Sequence, residues 1–266
     1  STGQRINSAS DDAAGLAIAS RMTSQVNGLN MAVRNANDAI SMVQTADGAL
    51  VEVEGLLQRM RELAVQAASG TMGTTDIAAA DTEFDQLRLE INRIALNTQF
   101  NGSAIFPTGS DASSTDFQVG ANASQTISVT FANIQSLGDS DEATTDTESI
   151  FGGSTLDNTG NGTGNDDMGS FDLTSATTAI GPTGTIIGIS AAIDLINVER
   201  SKLGAAINRL EYAADNLSNV AQNTSASRSR VLDADYASET TELARTQIIQ
   251  QAATAMLSQA NQQAQS

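Results

Sequence analysis

Apolar residues in the first part of the chain recur at alternating steps of four and three, the heptad spacing of a helix that packs against another helix. The repeat follows a polar segment at residues 8–12, which supplies cap-type side chains and negative charge to a helix start. It predicts one helix over residues 10–68, roughly 90 Å long, a length that suits a rod or filament. The predicted seam consists of Met22, Val26, Leu29, Val33, Ala36, Ile40 and Val43.

The phase of this repeat is expected to change near Leu50. Asp47 and Leu50 continue the alternating steps, but Val53 adds a second step of three before the seam continues through Leu57 and Met60. A slip of this kind overwinds a coiled coil locally without ending the helix.

A Gly- and Thr-containing break at residues 69–74 separates this helix from a second predicted helix. Turns are predicted at Asn101-Gly102 and at residues 107–109, and short β segments at residues 103–106, 117–119 and 126–131. On the second helix the residues that share one face are Phe84, Leu87, Ile91 and Ile94, and on the last β segment they are Ile127, Val129 and Phe131.

The composition changes between residues 137 and 184, where Gly, Asp, Thr, Ser and Asn predict exposed loops with a few short strands. The heptad then returns, with Arg200 at one seam position, and another amphipathic segment runs from about residue 234 to the end. The second seam consists of Ile189, Ile193, Ile196, Leu203, Ile207, Leu210, Ala214, Leu217 and Ala221.

Because the N-terminal and C-terminal helical segments (the two arms) carry matching heptads, the simplest arrangement is that they pack on each other. We therefore predict a mainly α fold, a long antiparallel helical rod with a small β-hairpin region and a short variable domain. Residues 1–137 and 185–266 form the helical core domain, and residues 138–184 form the variable, surface-exposed domain.

The composition limits the binding partners, metal sites and catalytic groups that the chain can have. The net charge of −18 disfavours binding to nucleic acid or to an anionic membrane surface. Cysteine and histidine are both absent, which excludes disulfides, thiolate metal sites and the commonest general base. No run of apolar residues is long enough for a transmembrane helix, and we expect no signal peptide.

Several motifs, in order, resemble those of the bacterial flagellins. The most specific is the segment at residues 227–237, Ser-Arg-Ser-Arg-Val-Leu-Asp-Ala-Asp-Tyr-Ala, and the long-helix motif lies at residues 58–66. The other matching segments are residues 5–9, 11–15, 34–38, 98–102, 117–122 and 247–252. The resemblance covers both arms but not the insert.

The resemblance implies a subunit of the flagellar filament, exported to the extracellular flagellum without a cleaved signal peptide. The implied partners are other flagellin protomers, an export chaperone and the cap protein, and no cofactor is implied. Compared with the family pattern, we expect a further N-terminal segment before Thr2 and a short apolar segment after Gln262 to be missing, and hence a soluble monomer.

The resemblance also implies recognition by Toll-like receptor 5, an innate immune receptor. By motif, the family's receptor contacts fall on Arg59 and Leu63 of the long helix and on Glu83 of the next helix. An arginine with a forked donor head is a typical interface anchor, and the same surface is expected to serve protomer contacts. The alternative for Arg59 and Glu62 is a solvated helix face.

The sequence gives weaker signals for metal-binding and catalytic residues. The loop at residues 157–167 has the Asp, Asn and Gly content of a calcium site, but Thr159 and Met168 do not fit an EF-hand, so a surface loop is favoured and no metal site is predicted. Asp233 and Asp235 are assigned a structural role. No nucleophile has a recognisable base, so we do not expect an enzyme.

Two other functions remain open. A hook–filament junction protein shares the helical-arm plan, but the motifs at residues 58–66 and 227–237 favour a filament subunit. A surface adhesin would use the insert as its binding module, although the few apolar residues of the insert argue against a deep pocket.

Overall fold

The computed structural model describes residues 3–107, 113–134, 173 and 182–263, which form four helices and two small antiparallel sheets. The helices are α1 (Ala13–Ala67), α2 (Thr74–Asn97), α3 (Pro182–Leu232) and α4 (Tyr236–Gln263). The strands are β1 (Gln99–Phe100), β2 (Ser103–Ala104), β3 (Ser113–Gln118) and β4 (Thr126–Phe131). The predicted mainly α fold is confirmed.

The chain divides into two compact units. The first consists of Ser1–Asn30 and Ser218–Ser266, and the second is Met31–Leu217. Both α1 and α3 contribute residues to each unit.

The buried seam of α1 in the second unit follows a single uninterrupted heptad. The buried positions of this seam are Ala32, Ala36, Ala39, Val43, Ala46, Leu50, Val53, Leu57, Met60, Ala64 and Ala67, and Leu63 is buried beside it. The predicted phase change after Leu50 is therefore wrong, because the extra step of three lies earlier, between Leu29 and Ala32. Val33 and Ile40 are only half-buried, and small alanines occupy most positions toward the two ends of the seam, where they let neighbouring helices approach closely.

The buried seam of α3 has the same form. It consists of Thr185, Ile189, Ala192, Ile196, Glu199, Leu203, Ala206 and Leu210. Ile193 and Ile207 lie beside this seam and are half-buried. The expectation that Arg200 occupies a seam position is wrong, because its neighbour Glu199 takes that position and is 5% exposed.

Polar contacts fix the pairing of α1 and α3 within the second unit. Arg200 donates from Nε to Asp47 Oδ1 at 3.0 Å and from Nη1 to Glu54 Oε2 at 2.7 Å. Arg61 Nε donates to Ser190 Oγ at 3.2 Å. Residue numbers rise along α1 as they fall along α3, so the two arms pack antiparallel here, as predicted.

Helix α2 and the two hairpins complete the core of the second unit. Phe84 and Ile91 are fully buried, and the alternate residues of β4 that were predicted to share one face (Ile127, Val129 and Phe131) are buried. The turn between β1 and β2 has positive φ at Asn101 and Gly102, as the twist of a two-residue hairpin requires.

The stretch predicted to be an exposed insert lies mostly outside the described residues, including the candidate calcium loop at 157–167. Leu173 is an exception: it is 1% exposed, and its N–H donates to Asp81 Oδ1 at 3.2 Å. Helix α3 begins at Pro182, a few residues before the predicted boundary.

In the first unit, the N-terminal segment pairs with the connection between α3 and α4. The N–H of Arg5 donates to Leu232 O at 2.7 Å, and the N–H of Ala234 donates to Gly3 O at 3.0 Å. Asp235 Oδ1 accepts the N–H of Ala237 at 3.0 Å, which caps the start of α4. A structural role for Asp235, predicted from the sequence, is therefore supported by geometry.

Asp11 gives this N-terminal segment a pH-dependent contact. Its Oδ2 accepts the N–H groups of Asn7 at 3.0 Å and Ser8 at 2.8 Å. These hydrogen bonds, that from Asn7 first, hold the pKa of Asp11 below its ordinary value of 3.8. The folded pKa is lower than the unfolded one, so the carboxylate stabilises the segment at neutral pH and loses this effect as the pH falls through the folded pKa.

We expect the amide proton shifts of Asn7 and Ser8, followed by NMR, to titrate together with a midpoint below 3.8. Asp11→Asn should abolish the titration, whereas Asp12→Asn should preserve it, because Asp12 bonds to the N–H of Gly15 instead. A midpoint at or above the ordinary value would show that the two hydrogen bonds do not hold the charged carboxylate in solution.

Candidate interaction surface

Arg59 lies at the junction of α1 and α2 in a cluster of charged side chains. It donates from Nε and Nη2 to Glu83 Oε1 of α2, at 2.9 and 2.8 Å, and from Nη1 to Glu62 Oε2 of α1, at 3.0 Å. The structure therefore brings Arg59 and Glu83 together, two of the three residues that the family motif assigned to an interface.

The heptad explains why these side chains face outward. Leu57, Met60 and Ala64 are buried in the seam, which leaves Arg59 and Glu62 on the opposite side of α1. On α2, Ala80 and Phe84 are buried, so Glu83 lies toward the outer edge of that helix. The positions of Arg59 and Glu83 are thus fixed by the core beneath them.

Solvent reaches all three charged side chains. Arg59 is 48% exposed, Glu62 is 68% exposed and Glu83 is 46% exposed. The hydrogen bond to Glu83, and then that to Glu62, raises the pKa of Arg59 above its ordinary value, so the guanidinium stays charged. In solvent such pairs contribute little stability, but their three hydrogen bonds favour one orientation of the guanidinium.

Leu63, the third predicted interface residue, is not on this surface. It is 2% exposed and belongs to the hydrophobic core. Leu63 lies three residues after the seam position Met60, so its side chain falls on the same, buried side of α1. Its contribution to any interface at Arg59 is to support the helix from below.

Sequence reasoning missed the ion pair between Arg59 and Glu83. The two residues are 24 positions apart, and only the antiparallel alignment of α1 and α2 brings them into contact. The spacing of Arg59 and Glu62 is the sole local signal, since residues three apart on a helix are neighbours.

Among the described residues, no three acidic side chains converge on a point where a metal ion could bind, and none of their helices is long and apolar enough to cross a bilayer.

Comparison of the sequence with known protein families gives matches to both helical arms. Residues 1–110 match the family model for the bacterial flagellin N-terminal helical region, and residues 186–266 match that for the C-terminal helical region. A flagellin of Halalkalibacterium halodurans is 41% identical over 265 residues, covering 100% of this chain and 86% of its own. A Bacillus subtilis flagellin is 40% identical, covering 100% and 88%.

A solved structure gives the same result. The crystal structure of Bacillus cereus flagellin superposes with a TM-score of 0.52 at 29% identity, covering 69% of this chain and 88% of that chain.

The fold and these likenesses define a helical structural protein that assembles with copies of itself. The chain belongs to the bacterial flagellins. It is a structural subunit of the bacterial flagellar filament and not an enzyme, as predicted.

Proposed function

We propose that this subunit is also a ligand of Toll-like receptor 5, and that the receptor binds the charged cluster of Arg59, Glu62 and Glu83. The observation that supports this most is the Arg59–Glu83 pair, which lies where the family motif locates receptor contacts. The pair is half-exposed and supported by a rigid core.

The chemistry of the cluster suits a protein partner. A guanidinium oriented by two carboxylates loses less freedom on binding, so an incoming carbonyl oxygen meets a preorganised donor. Arginine is among the residues that most often dominate binding energy at interfaces.

Recognition by the receptor can be tested in a reporter cell line that expresses Toll-like receptor 5. Arg59→Ala should raise the half-maximal concentration of this protein by about tenfold or more, as expected for an interface anchor. Glu83→Ala should act in the same direction, because it releases the Arg59 side chain.

Arg93→Ala is a matched control. Arg93 lies on the exposed side of α2 and pairs with Glu90 three residues away, so it has similar chemistry outside the cluster. It should leave the response within about twofold. Equal potency of Arg59→Ala and the unaltered protein, with unchanged helix content by circular dichroism, would refute the proposal.

Membership of the flagellin family supports an extracellular site of action. It also supports an export chaperone and the filament cap protein as further partners. Co-purification of the chain with each of these proteins tests this part independently of the receptor.

A further inference from the structure

A leucine in the polar stretch between residues 137 and 184 is buried. Leu173 is 1% exposed and belongs to the hydrophobic core cluster of the second unit. The stretch that carries it is rich in Gly, Asp, Thr, Ser and Asn, a composition that is typical of segments on a protein surface. A leucine that leaves such a stretch to enter the core makes a contact that the composition of the stretch does not predict.

A hydrogen bond fixes the place at which Leu173 enters the core. Its backbone N–H donates to Asp81 Oδ1 at 3.2 Å, and Asp81 lies in the first half of α2. Ala80 and Phe84, one position before and three positions after Asp81, belong to the same core cluster as Leu173. Leu173 therefore docks on the first half of α2 with both an apolar side chain and a polar backbone group.

The first half of α2 has few buried contacts of its own. Its buried side chains are the small Ala80, which is 9% exposed, and Phe84, whereas residues 74–79 are exposed or half-buried. Gly73 at the N-cap position makes no side-chain hydrogen bond to the start of the helix. Segments with few buried apolar contacts open at a lower free energy than the rest of a protein, so each contact made there has a large effect.

The middle of α1 does not share this weakness. Leu50, Val53 and Leu57 are each 0% exposed, and Arg200 joins this part of α1 to α3 through two ion pairs. The first half of α2 can therefore open while the packing of α1 against α3 persists.

We propose that Leu173 is a latch. Its docking holds the first half of α2 in place, and its release opens residues 74–84 while the seam between α1 and α3 stays closed. The order of this helix segment thus depends on a residue from the polar stretch. Glu83 lies in the segment that opens, so release also frees the partner of Arg59. The inference concerns the conformation of the chain and does not depend on receptor binding.

Native-state hydrogen exchange followed by NMR tests the latch on the whole, unaltered chain. The Leu173 N–H should exchange with the same opening free energy as the amides of residues 80–84, because one event releases them all. These amides should exchange at least about tenfold faster than those of Leu50 and Val53, which open only when the unit unfolds. Equal protection of all these amides would overturn the proposal, and so would a Leu173 N–H that exchanges independently of α2.

Two glycine variants test whether Leu173 and the first half of α2 open together. Ala79→Gly, at an exposed position of that half, should make the Leu173 N–H exchange about fivefold faster, the effect of one glycine on helix stability. Leu89→Gly is the matched control, because Leu89 is 56% exposed in the second half of α2, which stays helical when the latch opens. It should change the exchange of the Leu173 N–H by no more than about twofold. Equal accelerations in the two variants, or none in either, would contradict a latch confined to the first half of α2.

The reverse coupling is measured in Leu173→Ala. Emptying a fully buried leucine position should make the amides of residues 80–84 exchange at least about tenfold faster. Unchanged exchange of these amides, with unchanged helix content by circular dichroism, would show that α2 keeps its order without Leu173 and would overturn the proposal.

Discussion

Phe84→Ala should lower the free energy of unfolding of the second unit by about 3–5 kcal/mol, the usual cost of emptying a fully buried aromatic position. Phe84 is 0% exposed and is among the largest fully buried side chains of the described residues. It belongs to the same core cluster as Leu57 and Met60 of α1 and Phe131 of β4. One truncation therefore weakens the packing of α2 against both a helix and a hairpin.

The measurement is urea denaturation followed by far-ultraviolet circular dichroism. Tryptophan is absent and both tyrosines are about three-quarters exposed, so fluorescence would report poorly on the core. Leu89→Ala is the control on the same helix, because Leu89 is 56% exposed and should cost no more than about 0.5 kcal/mol.

If Phe84→Ala cost less than about 1 kcal/mol, the surrounding side chains would have to close over the cavity. If Phe84→Ala instead lowers the free energy of unfolding by the full 3–5 kcal/mol, about the cost of an emptied aromatic position, it should also disturb the neighbouring Glu83 and hence the Arg59 cluster. The receptor assay on Phe84→Ala would then report a change in support rather than the loss of a direct contact.

The helices could be predicted from the sequence because their apolar residues repeat over many turns. Predicting which residues form the buried seam was harder, since neighbouring residues such as Ala39 and Ile40 are both apolar. A shift of one residue rotates the inferred face by about 100°. Helix packing selects the small alanines, because they permit close approach, whereas a sequence pattern favours the larger neighbour.

The candidate surface was predictable only in part. The family motif located Arg59 and Glu83, but no sequence rule places them in contact, because that depends on how α1 and α2 align. The motif also names Leu63, which the structure buries, because a motif records residue positions and not their exposure. Burial distinguishes Arg59, whose side chain is half-exposed, from Leu63, which lies in the core.

Glu199→Leu should raise the stability of the second unit by about 1–4 kcal/mol, the range seen when a whole buried ion pair is replaced by apolar residues, because Lys202 stays hydrated at the surface when its partner is removed. The Glu199 side chain is 6% exposed and lies in the buried seam between Ile196 and Leu203. Its partner is Lys202 Nζ at 3.0 Å, whose side chain is 66% exposed. The carboxylate has thus lost most of its water, while the lysine has kept much of its own, so a single ion pair offsets the desolvation of Glu199 only in part.

A leucine at this position would extend the apolar seam and bury additional carbon surface. The gain can be measured by urea denaturation beside Glu211→Leu, a matched change at an exposed position of α3 that should stay within about 0.5 kcal/mol. Destabilisation by Glu199→Leu would contradict this account and would mean that the Glu199–Lys202 pair is net favourable. A polar residue in a seam also penalises shifted pairings of the helices. The leucine variant should therefore gain stability while losing this restriction on the register of α3 against α1.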